Sequence, residues 1–224
     1  MKSDNETTLS ERLYHELYDD ITQQRLVSGQ KLTLNMLKDR FNVSHTPIRE
    51  ALSRLVSDGL VTHSTNRGMT VAEFSPAEIR EMFQFTAELE ATAVKMCSTG
   101  FAIAPMESEM KEIIEQEKTA LENYPSRESM EAFSIVGGKI HDIFYKYANN
   151  RFLSEAANRL AARMELMSNI YATQDNYPQI YENHLRIYEA VCHRDFDQAA
   201  DLVRAHLQFS LMRTLENLES TSLR

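Results

Sequence analysis

The stretch VSHTPIREALSRLVSDGL, residues 43–60, decides the reading of the first third of the chain. Ile48, Ala51, Leu52 and Leu55 recur at helical spacing and form one apolar face, while His45, Thr46, Arg49 and Ser53 fall on the other. Ser44 stands at the N-cap. Pro47 lies in the first turn, where its missing N–H is not needed, and Gly59 lies where a helix of this length should stop. Upstream, Thr8 and Glu11 form a capping box for a helix with Leu9, Leu13, Leu17 and Ile21 at every fourth position, and Gly29 is expected to close it. Thr33 caps a second, short helix through Leu37 to Phe41, ended by Asn42. Downstream, LVTHSTNRGMTV, residues 60–71, is two β-prone runs around a polar turn ending in Arg67-Gly68, a hairpin pattern. Three helices and a hairpin predict a winged helix-turn-helix. In that motif the second helix of the pair enters the major groove by its N-terminal end, so His45, Thr46, Arg49 and Ser53 are expected to face DNA. Arg49 offers a planar fork of donors for guanine or phosphate, and Arg67 beside Gly68 is placed to reach the minor groove or its phosphates.

Charge fits this division. The chain of 224 residues carries a net −9, yet residues 1–72 hold nine Lys/Arg and nine Asp/Glu, so the whole deficit lies in residues 73–224. Residues 25–72 have seven basic against three acidic side chains, a local surplus suited to a polyanion. Cys97 and Cys192 form no CxxC pair, which argues against a disulfide framework or a cysteine metal site. No run approaches the ~20 apolar residues of a membrane span, and the polar MKSDNETTLS has no signal-peptide core. The expectation is a soluble cytoplasmic protein with no membrane partner.

The first segment resembles a known family. SHTPIREALSRLVSDGLV followed by NRGMTV is similar to the S-x-T-P-[VI]-R-E-A-L-x-R-L-x-x-x-G-L-V … R-G-x-x-V signature of GntR-type bacterial transcription regulators, over residues 9 to 72. The resemblance implies operator binding as a homodimer, with contacts from Thr46, Arg49, Arg67 and Gly68. It departs at His45, where relatives usually carry Arg, exchanging a permanent charge for a titratable one.

From Ser75 the texture becomes all helical. Ser75, Pro76 and Glu78 read as a capping box opening a helix to about Thr99. Further helical patterns cover 105–123, 127–148, 151–171, 178–193 and 197–218. Breaks are expected at Gly100 and Pro105, Tyr124-Pro125, Asn149-Asn150, Tyr177-Pro178 and Asp195. The predicted architecture is mainly α, with a winged helix-turn-helix over residues 1–74 and an antiparallel bundle of about six helices over 75–224. The short join near Phe74 favours direct mechanical coupling of the two.

Three histidines stand on apolar faces of different helices: His141 with Phe144 and Tyr145, His184 with Tyr188 and Val191, and His206 with Leu202 and Phe209. A lone histidine in such a place is more often a hydrogen-bonded core residue. Three that converge make a candidate site for a divalent metal, zinc first, with nickel or manganese as alternatives, because neutral imidazole is a favoured ligand and bundle interiors hold metals between facing helices.

A second resemblance bears on these residues. HLRIYEAVCHRDFDQAADLVRAHL, residues 184–207, is similar to the H-x-x-I-x-x-A-[IV]-x-x-x-D-x-x-x-A-x-x-x-x-x-x-H-L pattern of the FCD-type ligand-binding domain, attached to the FadR branch of GntR regulators. GGKIHDIFYKYANNRFL, residues 137–153, resembles its D-x-x-F-H-x-x-[IL]-x-x-x-x-x-N segment, with His141 and Asn150 at the histidine and asparagine. The resemblance implies that the three histidines, with an aspartate four residues before the first, bind one divalent metal beside a small organic effector, often a carboxylate. It places Thr86, Glu90, Tyr145 and Tyr188 in the effector pocket. Two departures fall inside this site. The aspartate position is Gly137, followed by Gly138, and the usual arginine four residues before Glu90 is Thr86. The histidines could then hold an ion as three imidazoles, or hydrogen-bond a ligand directly.

These observations predict a ligand-responsive repressor that binds a palindromic operator as a homodimer. The alternatives are a metal sensor whose ion is the effector, and a three-histidine metalloenzyme. The winged helix argues against the enzyme, as does the lack of a paired general acid and base, a GxSxG elbow or a Gly-rich phosphate loop.

Overall fold

The computed structural model describes residues 8–65, 67–99, 102–171 and 176–222, which divide into two compact units. One comprises the chain up to Ser75 together with Arg159–Ile170, and the other holds Pro76–Asn158 and the chain from Tyr171 onward. The expected break at Gly100 lies outside the described residues.

In the first unit, α1 (Leu9–Thr22) starts where Thr8 accepts the Glu11 N–H, 3.2 Å, and buries Leu13, Leu17 and Ile21. It does not run on to Gly29. Gln24 turns left-handed at φ 59, and the Leu26 N–H bonds the Asp20 carbonyl at 2.8 Å, folding the chain back under the helix. Gly29 instead sits in the turn before β1 (Lys31–Leu32), its N–H bonded to Val71 O. This strand is an addition to the predicted hairpin, too short to show an alternating pattern.

Thr33 caps α2 (Leu34–Phe41) through the Met36 N–H, and Asn42 ends it in the left-handed region at φ 51. The opening stretch is α3 (His45–Ser57), whose Ile48, Ala51, Leu52 and Leu55 are fully buried. Ser44 occupies its N-cap in extended conformation but makes no side-chain cap bond. At the other end Gly59 takes φ 73, its N–H bonds Val56 O, and the Leu60 N–H bonds Leu55 O at 2.9 Å. That pair of bonds is a Schellman ending, with Leu55 and Leu60 both buried. Next, β2 (Val61–Ser64) and β3 (Gly68–Val71) form an antiparallel hairpin with Val61 opposite Val71 and Ser64 opposite Gly68, and the sheet order is β1-β3-β2. Asp20 is buried between Arg25, 2.5 Å away, and Arg40.

The second unit is helical: α4 (Pro76–Cys97), α5 (Ile103–Ala120), α6 (Arg127–Gly137), α7 (Lys139–Tyr147), α8 (Arg151–Tyr171), α9 (Tyr177–Cys192) and α10 (Phe196–Ser222). α8 passes into the first unit, where Tyr18 donates to Glu165 and Asn169 Nδ2 to Thr22 O. The single helix expected over 127–148 is two, because the chain breaks at Gly138. Asn150 Oδ1 accepts the Phe152 and Leu153 N–H groups and caps α8. Arg194, at φ 63, makes the turn expected at Asp195. α10 packs along α4 and α9, while α5 packs on α6, α7 and α9. Among the described residues no helix is long and apolar enough to cross a membrane.

Candidate functional site

The winged unit exposes the polar face of α3 as its sequence pattern requires. His45, Thr46, Arg49 and Ser53 are all exposed, opposite the buried stripe. Arg67 is exposed at the tip between β2 and β3, where its N–H donates to Ser64 Oγ, 3.0 Å, and Gly68 at φ 74 carries the chain into β3. The basic surplus is smaller than a residue count implies. Arg25 and Arg40 are both engaged by Asp20, and the Arg54 guanidinium lies over the Tyr14 ring, 4.1 Å from its centroid. Among the described residues Lys31, Lys38, Arg49 and Arg67 form no ion pair, and they remain available to phosphate or base.

In the helical unit, His141 of α7, His184 of α9 and His206 of α10 converge. Each offers a ligand nitrogen within 4.8 Å of the others. His184 and His206 are buried, and the His141 side chain keeps 23% exposure. Two carboxylates hold the rings. Glu90 Oε1 of α4 lies 2.6 Å from His141 Nδ1, and Glu117 Oε1 of α5 lies 2.7 Å from His184 Nδ1. With Nδ1 so engaged, Nε2 is the free ligand atom of both rings. His184 Nε2 faces His206 Nε2 at 3.3 Å. Two nitrogens on a tetrahedral zinc, at bond lengths of about 2.0–2.1 Å, would be separated by about the same distance. The donor set therefore fits a divalent ion, with His141, His184 and His206 as the residues that would hold it.

The electrostatics show how much the bundle has invested in this cluster. Burial pushes the Glu117 carboxyl up to about 8, only partly offset by His141. Burial alone would depress His141, but Glu90, with Glu117 and Asp142 behind it, outweighs burial and raises it. Burial, then neighbouring imidazoles, holds His184 and His206 well below the ordinary histidine range, so both are neutral and able to donate a lone pair to a metal. Among the described residues, the buried polar atoms without a hydrogen-bond partner include His206 Nδ1, Glu117 Oε2 and Thr86 Oγ1. Such atoms cost free energy unless a ligand, ion or water completes them.

The residues assigned to an effector pocket distribute unevenly. Glu90 is at the centre, as the partner of His141. Thr86 is one turn before it, and Tyr145 lies in the field of Glu90 and Asp142, its hydroxyl pKa raised by burial and then by those charges. Tyr188 instead hydrogen-bonds Cys192 and lies near Glu107 and Glu115, and no described ring or hydrogen-bond contact joins it to the three histidines. Two surface grooves, one along Phe83, Glu88 and Arg204 and one along Glu115, Asn123 and Val136, are lined by none of the histidines. Glu117 was absent from the sequence expectations. Its signal was legible, since it continues the buried stripe Met106, Met110, Ile113, Ile114 of α5 where an acid has no business without a partner.

Comparison with known proteins bears on both units. Residues 9–71 match the family model of bacterial regulatory proteins, gntR family, and residues 81–209 match that of the FCD domain. The HTH-type transcriptional repressor GlaR of Escherichia coli strain K12 is 27% identical over 203 residues, covering 87% of this chain and 90% of that protein. The HTH-type transcriptional regulator BphR of Paraburkholderia xenovorans strain LB400 is 24% identical over 212 residues, 92% of this chain and 85% of its own. A crystal structure of a GntR transcriptional regulator from Rhodococcus sp. RHA1 shares the fold with a TM-score of 0.75 at 19% identity, over 92% of this chain and 97% of that one.

Proposed function

The chain belongs to the gntR family of bacterial regulatory proteins and carries an FCD domain, and from that premise we propose a cytoplasmic, homodimeric repressor of a palindromic operator, modulated by a small carboxylate-class metabolite beside a divalent ion. Regulators of this family, not enzymes, are its relatives. The winged domain, residues 1–74, reads DNA through His45, Thr46, Arg49 and Ser53 in the major groove and Arg67 with Gly68 at the wing. The helical domain, residues 75–224, dimerises and takes the effector near Thr86, Glu90 and Tyr145.

The observation that carries the metal reading is the buried cluster of His141, His184 and His206, two of its rings held at Nδ1 by Glu90 and Glu117. When bound there, an ion supplies Lewis acidity toward an effector oxygen. The protein residues do the rest: the carboxylates set ring orientation and tautomer, and the partly exposed edge of His141 is the approach for a small molecule. Zinc suits the all-nitrogen donor set, nickel follows closely, and manganese, which prefers oxygen, is the poorest match.

A second reading, in which the ion itself is the effector, is favoured by the closure of the site, since His184 and His206 are 1% and 4% exposed. One experiment separates the two. Operator fragments are selected from random DNA, and binding is followed by fluorescence anisotropy for zinc-loaded and chelator-stripped protein, with and without a panel of small carboxylates. The metabolite reading expects a palindrome whose affinity changes with a carboxylate only when metal is present. A response to zinc alone selects the metal sensor, and an asymmetric site bound by a monomer overturns the dimeric repressor.

A further inference from the structure

The short strand β1 carries Lys31 to the edge of the three-stranded sheet. Lys31 pairs with Thr70 of β3, and Thr70 pairs with Thr62 of β2, so the three stand in one row across the sheet. Directly opposed residues of an antiparallel ladder share a face, and alternation along the strands adds Ser64 and Gly68 to it, while Leu32, Val61 and Val71 fall on the buried face. The outer face is polar and open: Lys31, Thr62 and Ser64 are exposed, and the Thr62 and Thr70 hydroxyls hydrogen-bond each other at 2.9 Å. The Lys31 side chain leans along β3 toward the wing tip, where a Cβ built on Gly68 would stand 3.9 Å from its Cε. Its ammonium therefore lies at the same end of the sheet as Arg67, which precedes Gly68. Residues 31–32 and 61–71 contain no Asp or Glu, and among the described residues neither cation forms an ion pair. Two cations brought to one tip repel each other, and an anion laid across the face would relieve that repulsion.

We propose that Lys31 grips the DNA phosphate backbone beside the wing, so that the outer face of the sheet, from Lys31 across Thr70 to Gly68, lies along a sugar-phosphate strand. This rests on the winged-domain reading above. Lysine suits a phosphate better than a base edge here, since its ammonium is a compact charge with three rotatable donors on a flexible stem. The bare backbone at Gly68 and the short hydroxyl side chains of Thr62 and Thr70 let a strand approach closely. Two consequences follow. Each protomer neutralises a phosphate beyond those met by α3 and Arg67, and the added affinity is blind to sequence. The strand β1 thereby has a use in DNA binding, as the element that sets this lysine next to the wing.

The test uses full-length protein, the selected operator and a scrambled duplex of the same length. Fluorescence anisotropy is followed across a salt titration for wild type, Lys31→Met, Lys31→Gln, Lys31→Arg and Arg49→Ala. Methionine keeps an unbranched stem beside Gly68 and removes the charge. Lys31→Met should therefore flatten the slope of log affinity against log salt by about 0.9 for each protomer bound. The affinity should fall by the same factor on both duplexes, because a phosphate carries no sequence. Lys31→Arg should keep the wild-type slope. Urea unfolding reports the integrity of each variant, and Lys31→Gln repeats the measurement if the methionine variant folds poorly. An unchanged slope in the neutral variants overturns the proposal and leaves Lys31 as a guard of an open strand edge. A loss confined to the operator overturns it too, since that is the mark of base readout. If wild type binds neither duplex, the winged-domain reading falls and this inference with it. If Arg49→Ala weakens operator binding while Lys31→Met keeps the wild-type slope, this inference alone is overturned.

Discussion

Raising the pH of the chelator-stripped protein from about 6.5 to about 9 should destabilise it, and the loss should trace to Glu117. Burial lifts that carboxyl from its ordinary 4.5 to about 8, so between those values the folded chain holds a proton that the unfolded chain releases. A group raised on folding contributes stability that is fully present below its unfolded pKa and is lost as pH climbs through the folded one. With one pKa unit worth about 1.36 kcal/mol, Glu117 retains about 2 kcal/mol at about pH 6.5 and almost none at about pH 9. His141, raised by its carboxylate neighbours against the effect of burial, adds to the alkaline loss. On the acid side the sign reverses. His184 and His206 are held well below 6.5 by burial, so their contribution is present above 6.5 and fades as pH falls. Each loses up to about 1.4 kcal/mol per pH unit, and the two outweigh the single opposing gain from Glu117, which puts the stability maximum near pH 6.5. For a chain of this size, about 2 kcal/mol corresponds to a melting temperature lower by about 4–8 °C. Thermal melts followed by circular dichroism at both pH values measure it, with Glu117→Gln alongside because it cannot titrate. Equal melting temperatures for the stripped wild type at the two pH values, or an undiminished alkaline loss in Glu117→Gln, would refute the reasoning.

Three further outcomes are expected in the winged unit. Arg49→Ala should weaken operator binding by about 1–3 kcal/mol if the guanidinium reads a base, or flatten the salt slope by about one if it touches phosphate, while urea unfolding stays at wild type. Arg40→Ala should do the converse, because Arg40 is engaged by the buried Asp20: a loss on the order of 1 kcal/mol in urea unfolding with the operator salt slope unchanged. Gly59→Ala should cost about 1–2 kcal/mol, since it forces a side chain into the left-handed ending of α3; an unshifted urea midpoint would contradict that account.

Much of the winged unit was legible because its signals are local. Thr8 and Thr33 bond the N–H three residues ahead, Asn42 and Gly59 supply left-handed endings, and the two faces of α3 separate at helical spacing. The termination of α1 was misplaced for a physical reason: Gln24, a residue with no special liking for positive φ, adopts it because Leu26 is drawn under the helix into the core. The β1 strand was missed because two residues acquire strand character only by pairing with Thr70 and Met69.

For the helical unit, the sequence by itself determined which side chains could meet a metal, since His141, His184 and His206 each stand on an apolar face and an amphipathic helix buries that face. Only the tertiary structure decided how the rings are aimed and which carboxyl groups hold them. Glu90 reaches His141 across 51 residues, and Glu117 reaches His184 across 67. Helical periodicity specifies a direction from one axis and says nothing of which residue of another helix lies opposite. That depends on the register in which α5 packs against α9, and at that level Glu117 is separated from its exposed neighbours Glu115 and Gln116. The hydrogen bonds that fix a tautomer extend over a few tenths of a nanometre at most, a scale that only the packed interior sets.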